Sequence, residues 1–387
     1  MFLLFCSSYA PVRALHFLVR GPVKLHQTRT TCHPGAMLSW MADRSSAFAR
    51  RLIELHQDEP SSPERPWRIL LYADEIGVGN LLRVDNTRKT WAIYWGVLEL
   101  GPQTLSHEIA WMLLGVLRHN ISAKVQGGFS GALKEALLAL FFRRGMHATQ
   151  DGFFVRSNGS IMTIFLKLHC ILADDDAIRV IWKTKGASGN VNCHLCRNVT
   201  RVGSRLIDHD DSGVLVDATE ADVSLFIQHS DVTFFEAVDR LARTPACNMK
   251  EEERATGMNH DPFSLPSCRV LRPDCGPVSV TLFDVAHVFI ISGLCHFQVS
   301  AFMQRAKSCN VKYEHFHLWF QSWNWPRFDR NPPKRLFNAT HAAHDCFKVS
   351  VVSHEHLPGK GKPCPKSQGM FFMCTWRDHV RHLHQSA

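Results

Sequence analysis

Trp67–Asp74 (WRILLYAD) decides the reading of the fold, because it is a run of large apolar and aromatic residues that stops on an acid. A short run of that composition predicts a buried strand. Outward from it, Thr90–Leu100 (TWAIYWGVLEL) is aromatic-rich and β-branched and predicts a second strand, and Ile109–Leu117 (IAWMLLGVL) a third. Ser130–Phe142 (SGALKEALLALFF) carries strong helix formers behind an N-cap serine. Ser160–Leu172 (SIMTIFLKLHCIL) predicts another strand, running into Asp174, Asp175 and Asp176. Those acids suit the first turn of a helix over Ala177–Lys185, which Gly186 would end.

Three strands, a helix, a strand and a helix is the element order of an RNase H-like fold, an antiparallel meander followed by helix-linked parallel strands. The expected class is therefore α/β: a mixed sheet flanked by helices, with a Cys-containing insertion and irregular termini. Ahead of it, residues 1–45 show no steady period, Ser45–His56 reads as a short amphipathic helix, and Asp58–Pro66 (DEPSSPERP) reads as a linker. The expected organisation is an N-terminal segment and linker over 1–66 and a first core part over 67–186. A Cys-containing and acidic insertion over 187–280 and a helical end of the core over 281–323 follow, and then a basic, His-rich tail over 324–387. The helix near the end of the core is expected from Phe283 to Arg305.

The chain has 387 residues, 45% apolar and 20% charged, which fits a globular protein and not a disordered one. Its longest apolar runs fall short of the roughly 20 residues of a membrane helix. Met1–Cys6 (MFLLFC) is too short for a signal-peptide core, so no membrane or secretory role is expected. Thirteen cysteines with one tight pair suit reduced thiols and a metal site better than a disulfide framework. The net charge of +9 is uneven: residues 201–261 carry 6 Lys/Arg against 13 acids, whereas 262–387 carry 15 against 7. A basic body with an acidic insert fits a polyanion such as DNA, and also fits a mildly basic protein without one.

Asp74 and Asp174, one hundred positions apart, each close a predicted strand. Acids at the ends of neighbouring strands can hold hard cations such as Mg²⁺ or Mn²⁺, whose pairs clamp the oxygens of a phosphodiester. The competing reading is that Asp174–Asp176 only cap a helix and Asp74 sits in a solvated turn, with Glu75, Asp175 and Asp176 as alternatives for each role. Cys193-His-Leu-Cys196 has the spacing of a zinc knuckle and supplies half a tetrahedral site, with Cys247, Cys268, Cys275 or nearby histidines to complete it. Asp284 and His287 lie three apart on one face of the expected helix, as a ligand pair or a structural hydrogen bond. Trp319, Trp323, Trp325 and Phe328 alternate with Arg327, Arg330, Lys334 and Arg335, which suits either nucleic-acid stacking or an aromatic cluster with a basic rim.

Together these pieces resemble the catalytic core of CACTA-type (En/Spm and Plavaka-like) DDE transposases. Leu71–Asn80 (LYADEIGVGN) with Asp85–Trp95 (DNTRKTWAIYW) is similar to the family's first catalytic-aspartate region. Leu172–Asp174, Lys185–Gly186 and then Cys193–Cys196 are similar to its second, and Asn259–Pro262 (NHDP) with Asp284–Gly293 (DVAHVFIISG) to its Asp-x-x-His block. The resemblance implies that Asp74 and Asp174 are the first two acids of a DDE/D triad using Mg²⁺ (or Mn²⁺), with Zn²⁺ at the Cys pair and His287 a structural position. It also implies DNA as partner, a homo-oligomer and a nuclear location. A third acid is expected beyond His287, where Glu314 is nearest by position. The N-terminal 65 residues show no DNA-binding module and the tail beyond about 341 departs from the family, so a truncated or decayed copy is expected. The alternatives are a non-enzymatic DNA- or protein-binding relic and an RNase H-like nuclease acting on RNA.

Overall fold

Pro34–Arg44 forms helix α1, with proline at its start and His33 as N-cap, its ring nitrogen accepting from the Gly35 amide at 3.2 Å. Ser45 then caps α2 (Ser46–Asp58) through its hydroxyl. Both helices belong to the main body: Leu38, Phe48, Leu52 and Leu55 join one hydrophobic cluster with the sheet residues Ile69, Leu71 and Trp95. The Trp67 indole also reaches back to the Glu59 carbonyl at 2.8 Å across the proline-rich link. This computed structural model describes residues 33–77 and 89–285, except 144, 145, 192, 202, 203, 211 and 221. It also describes 14–15, 29–30, 298, 305, 308, 309 and 318.

The centre is a five-stranded mixed sheet flanked by helices, an α/β architecture. β1 (Trp67–Gly77), β2 (Lys89–Val97) and β3 (Met112–Arg118) form an antiparallel meander. A small hairpin, β4 (Phe153–Ser157) and β5 (Ser160–Ile164), precedes β6 (Leu166–Ala173), and β7 (Thr281–Phe283) comes last. The order across the sheet is β7-β6-β1-β2-β3, with β6 parallel to β1 and β7 parallel to β6. Ile69, Leu71, Ala73, Ile93 and Trp95 are buried. Alternation along the paired strands puts them on one face. Against that face stands α3 (Gly128–Phe141), whose Phe129 stacks on Trp91 at 4.3 Å. Beside it runs α4 (Asp175–Trp182): the Ser130 hydroxyl bonds the Ile181 carbonyl at 2.6 Å, and the Trp182 indole bonds Thr281 at 2.8 Å. Each fully buried large side chain contributes roughly 1.5–3 kcal/mol by leaving water.

Several expected boundaries move for local reasons. β1 continues to Gly77 because β2 pairs with it as far as Lys89, so Asp74 lies inside the strand opposite Ala92. The run 160–172 is two strands, broken at Phe165, whose amide donates to the Ser61 hydroxyl oxygen and whose carbonyl accepts from the Trp67 amide. The third strand starts at Met112, after a short 3₁₀ turn over Glu108–Ala110. Lys183 ends α4 in the left-handed conformation, φ +60°, three residues before Gly186. Phe283 closes β7 instead of opening a helix, and most of the expected helix to Arg305 lies outside the described residues.

The segment between α4 and β7 is folded. It holds α5 (Asp231–Arg243), capped reciprocally by Ser230 and Thr233, and α6 (Met249–Thr256). Phe234, Val238 and Leu241 of α5 and Leu265, Leu271 and Cys275 join the same hydrophobic cluster. Two compact units make up the chain: 1–216 with 224–283, and 217–223 with 284–387. Among the described residues no helix is long and apolar enough to cross a membrane.

Candidate functional site

Ala73 and Ala173 are register partners on the parallel strands β1 and β6, so Asp74, inside β1, and Asp174, just past the end of β6, each follow one member of that pair. The Tyr72 hydroxyl donates to Asp74 Oδ2 at 3.3 Å, as strand alternation places the two on one face. Asp174 is the N-cap of α4 and its Oδ1 accepts the Ala177 amide at 2.7 Å. The capping reading of this acid is therefore realised, and any ligand role is shared with the cap.

The alternatives to these two acids are otherwise engaged. Glu75 points to the opposite face from Asp74, where Oε2 meets Lys89 Nζ at 2.9 Å and Oε1 meets His119 Nδ1 at 2.5 Å. Asp175 pairs with Arg179 at 3.2 Å, and Asp176 also pairs with Arg179. Asp284 follows Phe283 at the end of β7 and is partly buried, while His287, Glu314 and the segment Trp319–Arg335 lie outside the described residues. Among the described residues no group of three or more His, Cys, Asp or Glu gathers to hold a metal ion. Two carboxylates, one of them committed to a helix cap, supply only part of the oxygen set that Mg²⁺ requires.

The Cys193–Cys196 turn is the second feature. Both thiols are free, Cys193 half-buried and Cys196 buried, and the Leu195 amide donates to Cys193 Sγ at 3.3 Å. A backbone donor aimed at sulfur favours the thiolate that a metal needs, whereas loss of water around Cys193 pushes its thiol up. The hydrogen bond between the two thiols draws Cys196 down. Two further ligands are absent among the described residues, so the turn fits half a zinc site.

Asn198 explains why the turn holds its shape. Its amide donates to the Val214 and Leu225 carbonyls, and its oxygen accepts from the Ile227 amide, each at 2.8 Å. The chain 227–229 consequently runs antiparallel to 195–197, with the His229 amide on the Leu195 carbonyl at 2.8 Å. Neither known protein families nor curated proteins give a match to this chain.

Two histidines carry no sequence signal of their own. His194 is 4% exposed, tilts against Phe283 at 5.7 Å, and its Nε2 has no hydrogen-bond partner among the described residues. Burial, then the charge of His229, holds it neutral, with its pKa lowered to about 3. For His229 burial and the nearby Arg197 lower it to about 4. The pairing of 195 with 229 brings these two rings near each other, and no spacing in the segment between them announces it.

Proposed function

We propose that this chain carries an RNase H-like core of the CACTA-type DDE transposase kind, with Asp74 and Asp174 as the carboxylates that would hold Mg²⁺ or Mn²⁺. One observation carries the reading: these two acids follow register partners on neighbouring parallel strands, β1 and β6, of a sheet ordered β7-β6-β1-β2-β3. The bound ion would supply Lewis-acid stabilisation and an activated water for phosphodiester cleavage. The chain's own residues position the acids. Tyr72 donates to Asp74, and α4, held to β7 by Trp182 and Thr281, fixes Asp174 at the head of its first turn. DNA is the proposed partner, the nucleus the proposed location and a homo-oligomer the proposed state.

A second reading, a non-enzymatic relic that binds DNA or protein around a zinc-stabilised Cys turn, draws on the amide donor at Cys193 and on the shared role of Asp174. Nicking of duplex DNA with Mg²⁺ or Mn²⁺ decides between them. Cleavage by the parent chain, lost in both Asp74→Ala and Asp174→Ala, supports the transposase core. A folded, DNA-binding parent that never nicks leaves the relic.

A further inference from the structure

The insertion builds a cleft of about 590 Å³ whose lining includes Arg197, His229, Thr233, Arg240, Arg243 and Met258. Thr233, Ala237 and Arg240 recur at helical spacing, so one face of α5 forms a wall, and Arg243 stands a turn beyond Arg240. Arg197 comes from the other side, one residue after Cys196, where its backbone amide bonds the Ile227 carbonyl at 3.0 Å.

The three guanidinium groups are incompletely spent. Arg240 reaches Glu252 through Nε at 2.7 Å, and Arg243 gives its Nε to the Asp239 carbonyl at 3.2 Å. Arg197 has no ion pair among the described residues, and the terminal nitrogens of Arg197 and Arg243 make no hydrogen bond there. Nor do these arginines belong to a generally basic surface: residues 201–261, which hold Arg240 and Arg243, carry 6 Lys/Arg and 13 acids, yet among the described residues the three arginines meet one lining carboxylate, Glu236. Neighbouring carboxylates are occupied elsewhere, as Asp239 is by Arg272 at 2.8 and 2.9 Å. Guanidinium forks on two walls of one cleft match the oxygens of a phosphate, and a bound anion would add to the partial neutralisation that Glu252 and Glu236 supply.

We propose that this cleft binds a phosphodiester of a DNA strand through Arg197, Arg240 and Arg243. The net charge of +9 favours a long polyanion over a lone phosphate as its occupant. The choice of DNA rests on the functional reading above; the anion site itself does not depend on the strand-end carboxylates.

Binding of labelled duplex and single-stranded DNA, followed by fluorescence anisotropy over a salt series, tests it. The full chain carrying Arg197→Ala, Arg240→Ala and Arg243→Ala together is expected to bind about tenfold or more weakly. Its slope of log affinity against log salt is expected to fall by about one, the value for one phosphate no longer neutralised. Glu236→Gln, which removes the one lining carboxylate, is expected to tighten binding severalfold, a gain that misfolding cannot mimic. An unchanged slope in a folded triple variant, with no gain from Glu236→Gln, overturns the proposal. So does a triple variant that loses inorganic phosphate, measured by calorimetry, while keeping DNA affinity, since the cleft then takes only a free anion. If the slope falls as expected but the parent never nicks DNA, the cleft stands and the nuclease reading falls. Metal-dependent nicking with an unchanged slope removes the cleft and keeps the nuclease reading.

Discussion

Asp74 and Asp174 stand one residue beyond Ala73 and Ala173, which pair across β1 and β6. Only Asp174 is committed to the backbone of a helix, through the Ala177 amide. This asymmetry separates a capping role from a ligand role. Asp174→Ala is expected to cost about 1 kcal/mol from the lost cap, and Asp174→Asn far less because the amide oxygen still accepts. Asp74→Asn should leave stability near that of the parent. Mg²⁺ should raise the unfolding temperature of the parent and not of either Asn variant, as binding to the native state alone requires. Equal stabilisation of all three by Mg²⁺ would remove the two acids from any metal site.

Trp91 and Phe129 join the meander to α3 by a stack at 4.3 Å and 20° between planes. Both are at least 95% buried. Trp91→Ala should cost about 3–5 kcal/mol in urea unfolding, from lost transfer energy and the cavity left behind. Trp91→Phe should recover much of it. A loss below about 1 kcal/mol would mean that α3 is held to the sheet by its other contacts, such as Ser130 with Ile181.

How much of this is legible in the sequence depends on whether the signal is local. The meander is readable because Trp67–Ala73 and Thr90–Val97 are short apolar runs bounded by acids and a lysine, and their partners lie close in sequence. The hairpin before β6 escapes a reading by apolar runs, although Asn158-Gly159, with φ of +48° and +79°, is a strong turn signal. Phe154 and Ile161 sit on its outer face, 71% and 64% exposed, and this blurs the alternation. In α1, Pro34-Gly35 reads as a breaker, yet proline suits a first turn. Gly35 is required there, since a Cβ would stand 2.5 Å from the Phe154 carbonyl. At the site, Asp174 is visible as a strand-end acid, whereas Asp74, read the same way, lies inside β1 because the pairing with β2 runs on to Gly77. That Glu75 faces away follows from alternation once the register of β1 is known. The meeting of His194 with His229, and of Arg197 with Arg240 and Arg243, is set by a long-range pairing through Asn198 that leaves no periodic trace.

His194 provides a pH test. Its folded pKa, lowered from 6.5 to about 3, means that below pH 6.5 the unfolded chain binds a proton the native chain refuses. Stability is therefore lost as pH falls from about 6.5 towards 3, at up to about 1.4 kcal/mol per pH unit for this group. His229, lowered to about 4, adds in the same direction between 6.5 and 4. Because Nε2 of His194 has no partner among the described residues, His194→Leu should change stability little at pH 8 and flatten the acid limb of urea midpoints against pH. An acid limb as steep as the parent's would place the titrating group elsewhere.

The Cys193–Cys196 turn should be sensitive to zinc if its amide donor at 3.3 Å serves a thiolate. Zinc would offset the burial that now disfavours the Cys193 anion, and the two sulfurs, already in hydrogen-bond contact, need little rearrangement to share one ion. The purified chain is then expected to carry zinc in equimolar amount by atomic absorption. A strong chelator should lower its unfolding temperature and leave Cys193→Ser/Cys196→Ser unaffected, because that variant has no bound metal to lose. Since Asn198 already ties the turn to Val214, Leu225 and Ile227, the metal-free chain should still fold, and the loss should concentrate in amide exchange around 193–198 and 225–229. A chain without zinc, whose melting the chelator does not change, would leave two reduced thiols with a structural hydrogen bond and nothing more.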